Sequence, residues 1–74
     1  MNERVQFLID SLVGHLSAMV MKGYGLSELE ALGLVYNSQL YEKIMDLETG
    51  LYYQSAMYNY ELLRHEIEFG KIAD

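Results

Sequence analysis

The 74-residue chain contains no cysteine, proline or tryptophan. Without cysteine it can form neither a disulfide nor a thiolate metal site, the usual staples of small secreted scaffolds. Without proline the strongest helix breaker is missing, so glycine must mark the ends of elements. Basic residues are scarce: five Lys and Arg stand against eleven Asp and Glu, a formal net charge of −6. That balance disfavours contact with phosphate backbones and anionic lipid, and favours solubility. No apolar run approaches the roughly 18 residues that span a bilayer. The start, MNERVQFLIDSLVG, lacks a basic leader and a small-residue cleavage site. The expectation is a cytoplasmic protein with no membrane partner.

What is abundant is apolar surface. Hydrophobic residues make up 51% of the chain and tyrosine occurs seven times. A chain this short hides only about 60–65% of its unfolded surface, so its stability is marginal without help. Small scaffolds lacking staples rely on regular helix packing or oligomerisation. The composition therefore predicts a single domain, residues 1–74, that associates as a homodimer.

Periodicity predicts an all-α domain of three to four helices. From Asn2 to Lys22, the residues Val5, Leu8, Ile9, Leu12, Val13, Leu16, Met19 and Val20 fall on one helical face. Asn2 suits the N-cap, and Gly23 suits the left-handed position beyond the end. Gly14 inside the run costs about 1 kcal/mol relative to Ala, which predicts a tight crossing with another backbone there. Ser27 and Glu30 then form an S-x-x-E capping box, with Leu26 placed to staple onto Ala31. Leu29, Leu32, Val35 and Tyr36 read as the apolar stripe of this second helix. A third, short helix restarts at Asn37 or Ser38 and carries Leu40, Tyr41, Ile44 and Met45.

Thr49-Gly50 reads as a turn, and residues 50–54 are compatible with either extended or helical structure. Ser55 caps a last helix from about Ala56 to Phe69, ended by Gly70. Met57, Tyr60, Leu63, Ile67 and Phe69 are expected to face inward, and Glu61, Arg64 and Glu68 outward. The long first helix is expected to pack against this last one.

Candidate functional residues are few. Tyr52, Tyr53, Tyr58 and Tyr60 crowd one short stretch, but Tyr58 and Tyr60 lie about 200° apart around a helix and cannot share a face. Aromatic rings at such spacing fill cores and seams; in a binding reading, they grip a partner protein. His65 shares a helix face with Glu61 and Glu68, a trio that could hold a metal weakly, although no second element supplies a ligand. His15, at the margin of the first helix's apolar face, is expected to be partly covered and hydrogen-bonded. No nucleophile elbow and no phosphate-binding loop is present, so neither an enzyme nor a cofactor is predicted. The two short central helices suggest a DNA reader by topology, but from Ser27 to Glu48 only Lys43 stands against five acids. A recognition helix without Arg or Lys has no phosphate clamp, so direct nucleic-acid binding is not expected.

The C-terminal half has a recognisable pattern: Tyr36-Asn37-Ser38, Tyr41, Lys43, Asp46, then TGLYYQS, a Tyr-x-Tyr, a Leu-Leu and a final Glu before Gly-Lys. It resembles a group of small bacterial all-helical proteins from gene clusters that hold toxin and antitoxin partners. That group often has proline after the YYQS serine, where this chain has Ala56. The resemblance implies a protein-binding role and carries over no functional residue. Two readings follow: an interaction protein that self-associates and binds a regulatory or antitoxin-like partner, or a small ligand-binding protein or enzyme with a Tyr- and His-lined pocket between helices.

Overall fold

The computed structural model describes residues 2–71. Four helices follow one another: α1 (Glu3–Tyr24), α2 (Glu28–Tyr36), α3 (Gln39–Met45) and α4 (Ala56–Phe69). Two 3-10 turns, Leu47–Thr49 and Leu51–Tyr53, join α3 to α4, and there is no strand among the described residues. Within the segment at 50–54, Leu51–Tyr53 form a 3-10 turn and Gln54 is extended. Gly50 makes this possible by taking φ 69° between the two turns.

Serine and asparagine caps set the start of every α-helix. The Asn2 side chain accepts from the Val5 N–H, Ser38 from Tyr41 and Ser55 from Tyr58. At α2 the capping box is complete: Ser27 accepts from the Glu30 N–H at 3.2 Å, and Glu30 accepts from the Ser27 N–H at 2.9 Å. The Ser27 N–H foremost, and then the Ser27 hydroxyl, hold the Glu30 carboxyl below its ordinary pKa. Leu26 and Ala31, the two ends of the expected staple, both join the core.

The end of α1 differs from expectation. The helix passes through Gly23 to Tyr24, and Gly25, at φ 66°, takes the left-handed position. Leu26 N–H then donates to the Met21 carbonyl at 3.2 Å, closing a Schellman-type end. Gly23 serves another purpose: the Tyr60 hydroxyl occupies the place where its Cβ would sit. The tight backbone crossing expected at Gly14 is not there; what comes close to a glycine of α1 is the Tyr60 side chain, at Gly23. Gly14 is exposed, and no heavy atom lies within 4 Å of where its Cβ would be.

The core gathers Val5, Ile9, Leu12, Val13, Leu16 and Val20 of α1 with Ala31 and Val35 of α2, Leu40 and Ile44 of α3, and Leu63 of α4. The α1 stripe is as the periodicity predicts, with Leu8 and Met19 at its half-buried margins. The most extensive neighbour of α1 is α2; it also meets α4 and the second 3-10 turn.

Two stripes match the sequence reading in part: Val35 and Leu63 are buried and Leu32, Tyr60 and Ile67 pack against the core, while the remaining members turn outward. In α2 the residues turned inward are Ala31 and Val35, one helical turn apart, so Leu29 (82% exposed) and Tyr36 (50%) point to solvent. In α4 the inward pair is Asn59 and Leu63, again four apart, which turns Met57 (57%) and Phe69 (67%) outward. The outer trio is as expected: Arg64 pairs with Glu61 and Glu68, each at 3.5 Å. These carboxylates raise the Arg64 pKa, Glu61 foremost. Both pairs are solvent-exposed, so water and salt screen them and they contribute little to stability.

Candidate functional site

Two surfaces expose apolar side chains close together. One lies at the corner between the 3-10 turns and α4, where the sequence places its tyrosines. Tyr53 is 65% exposed and Tyr58 48% exposed, with Met57 between them in sequence. Tyr52 and Tyr60 are half-buried against the core. The four candidate tyrosines therefore split into an inner and an outer pair. Tyr58 and Tyr60 diverge as two residues on one helix must.

One inner ring packs against one outer ring. Tyr52 and Tyr53 meet edge to face, centroids 5.0 Å apart and planes at 90°. The Tyr53 hydroxyl lies 2.8 Å from where a Gly50 Cβ would stand, so any side chain at Gly50 would displace the ring. Asn59 fastens the corner from below. Its buried side-chain amide donates to the Leu51 carbonyl at 3.0 Å and the Ser55 carbonyl at 3.1 Å. A polar residue in core register at the first turn of a helix is the signal that could have singled out Asn59, and the periodicity reading passed over it.

A second tie was also missed by sequence reasoning. The Glu66 carboxylate reaches from α4 to the start of α3, accepting from Gln39 N–H at 2.7 Å and Leu40 N–H at 3.0 Å. Added to Ser38, it satisfies donors that an N-terminus leaves open. Long-range capping of this kind, 27 residues apart in the chain, leaves no local spacing signature.

The histidines play different parts from those considered. His15 is exposed, a third of a turn off the centre of the α1 stripe, and is not partly covered. His65 stacks on Phe69 with ring centroids 4.6 Å apart, and its Nδ1 lies 2.9 Å from the Lys71 carbonyl. The carboxylates beside it, Glu61 and Glu68, are engaged by Arg64. Among the described residues no three metal-ligating side chains are gathered.

At the crossing of α1 and α4, Tyr24 lies near Tyr60, Glu61, Arg64 and Glu68. Burial, then the Tyr60 phenol and the Glu68 carboxylate, raise the Tyr24 hydroxyl above its ordinary pKa.

The second surface is a groove of about 290 Å³ between α1 and α2. Gly14, Ser17, Ala18 and Met21 form one wall, Leu32 and Glu28 the other. No tyrosine or histidine lines it, so it is not the Tyr- and His-lined pocket that a ligand-binding reading called for. Ser17 turns its hydroxyl to the Val13 carbonyl at 2.8 Å, within its own helix. What remains facing the groove is apolar, rimmed by one carboxylate. No helix among the described residues is long and apolar enough to cross a membrane. Compared with known protein families, curated proteins and solved structures, the chain matches none.

Proposed function

We propose that this protein works through contact with other proteins: it self-associates, and it captures a second protein at the aromatic corner. The observation that carries the reading is the exposure of Tyr53, Met57 and Tyr58 on a corner fixed from beneath by Tyr52, Asn59 and Gly50. Rigid exposed tyrosines are the residues around which binding energy concentrates, because they offer large area with little rotamer entropy to lose. The net charge of −6 selects a partner with a basic face and steers it in. A regulatory role of the antitoxin type, covering a basic working surface of its partner, fits this chemistry.

The test is paired capture from the native cell, using the full chain and a Tyr53→Ser/Tyr58→Ser variant. Both substituted side chains are exposed, so the variant is expected to keep its melting temperature. The protein retained by the wild type is expected to be lost from the variant, and to be released from the wild type as salt rises. Equal capture by both chains would overturn the assignment of the corner.

A further inference from the structure

We infer that two copies of this chain associate through the outer face of α1, in parallel, each seating its first helix in the α1–α2 groove of the other. The inference rests on the self-association proposed above and gives it a surface.

The spacing comes first. Phe7, Ser11, Gly14, Ala18 and Met21 recur at intervals of four, three, four and three, the seam of a paired helix. At 100° per residue Phe7, Ser11, Gly14 and Ala18 lie on the side of α1 away from its core stripe, and Met21, at the edge of that side, also packs against the core. Phe7 is 69% exposed, and Gly14 and Ala18 are exposed at the mouth of the groove. Open space above Gly14 leaves room for a second helix axis to come close.

Charge selects the occupant. Residues 1–24 hold Glu3 and Asp10 against Arg4 and Lys22, so the whole formal charge of −6 falls on residues 25–74. Two copies meeting along α1 bring neutral helices together and keep the acidic regions apart. The α1 charges are also sorted around the seam. Glu3 and Asp10 fall on the flank nearer α2, whose Glu28 lines the groove; His15 and Lys22 fall on the opposite flank, and Arg4 stands in the seam row itself, seven residues before Ser11.

In a parallel pair about a two-fold axis along the helices, the acidic flank of each copy faces the basic flank of the other. The partner's Lys22 then stands level with Glu28, which shares the groove with Ala18 and Met21. The partner's His15 follows Asp10 by five residues, the spacing of flanking pairs in parallel coiled coils. An antiparallel pair would instead set Arg4 beside the partner's Lys22. The length of the face suits a paired helix: α1 runs about 33 Å, the full 33 Å of the molecule's longest dimension. A standard interface hides about 800 Å² per partner, roughly one-sixth of the 4901 Å² surface.

The experiment is sedimentation equilibrium on the full chain and its variants, with melting curves alongside. The wild type is expected to dimerise at micromolar concentration. Gly14→Leu places a side chain in open space and improves helix propensity, so the fold should hold while the dissociation constant rises by about tenfold or more. Lys22→Glu should weaken the dimer, and Lys22→Glu with Glu28→Lys should restore it. Because the chain has no cysteine, Met21→Cys tests the orientation: a parallel pair sets the two thiols together and yields a disulfide-linked dimer on oxidation. A wild-type dimer indifferent to Gly14→Leu but lost in Tyr53→Ser/Tyr58→Ser would overturn this assignment and leave self-association standing. A folded wild type that is strictly monomeric would overturn both. A dimer sensitive to Gly14→Leu that never cross-links through Met21→Cys would overturn the parallel arrangement.

Discussion

The two glycines within α1 lead opposite lives. Gly23 lies beneath the Tyr60 hydroxyl at the crossing with α4, while Gly14 faces open space on the other side of the helix. The same residue type thus marks a side of α1 that a side chain of α4 reaches and a side that nothing in this chain reaches. The contrast extends to the leucines. Leu16 is fully buried on the inner side of α1, whereas Leu29 on neighbouring α2 is 82% exposed. A helical protein of this size completes its core with one face of each helix, and what it leaves outside is available for contact with others.

The largest expected effect comes from breaking the inner side. Leu16→Ala removes a fully buried side chain from among α2, α3 and α4 residues and should cost about 2–5 kcal/mol. In a chain with a marginal core that is enough to shift urea denaturation far toward unfolding, or to abolish the folded state. Leu29→Ala at low concentration should change the midpoint hardly at all, as exposed substitutions usually stay within about 0.5 kcal/mol. Equal losses at the two positions would erase the distinction between the faces.

The inner side was largely legible in the sequence. Every α-helix start follows from a capping residue and its neighbours, because a cap is a local device that spacing reveals. The α1 stripe was equally plain, since 22 residues give several turns over which a period can be read. The short helices were harder. With nine residues in α2 the edges of the stripe are hard to place: Leu32 and Val35 are inward as read, but Leu29 and Tyr36 were added to them for their size. Packing decided otherwise, because α2 lies close to α1 and the near face needs small or branched residues. Asn59 and Glu66 were missed for a related reason: their partners are backbone groups of other elements, which a pattern of side chains does not display.

The glycines themselves offer a sharper test of middling size. Gly14→Ala adds a methyl to a helix interior with nothing in its way, and should stabilise the monomer by about 1 kcal/mol. Gly23→Ala has the same propensity gain, but its Cβ would collide with the Tyr60 hydroxyl and the ring must swing aside. In Tyr60→Phe that oxygen is gone, and the nearest ring carbon stands at 3.6 Å, an ordinary contact. The expectation is a double-mutant cycle with a coupling of about 1 kcal/mol: Gly23→Ala gains little or loses stability in the wild type, and gains in Tyr60→Phe. Chemical denaturation measures all four chains. If Gly23→Ala stabilises both backgrounds alike, the crossing is looser than the geometry implies.

The smallest expected effect concerns how the outer groove is held open. Its α2 wall begins at the capping box, and there the Glu30 carboxylate accepts from the Ser27 N–H. This engagement lowers the Glu30 pKa in the folded state below its unfolded value. The folded state therefore binds the proton less readily than the unfolded one. The contribution of Glu30 is fully present above the unfolded carboxylate pKa and is lost as pH falls through the lowered folded value. Glu30→Gln keeps an acceptor for the Ser27 N–H but removes the titration. Melting temperatures followed through the acidic range should thus fall less steeply for Glu30→Gln than for the wild type, the two curves differing above the carboxylate range and converging below it. Parallel curves at every pH would mean that the box at the head of α2 contributes nothing through its charge, and that Leu32 and Glu28 are held in place by the core contacts of Ala31 and Val35 alone.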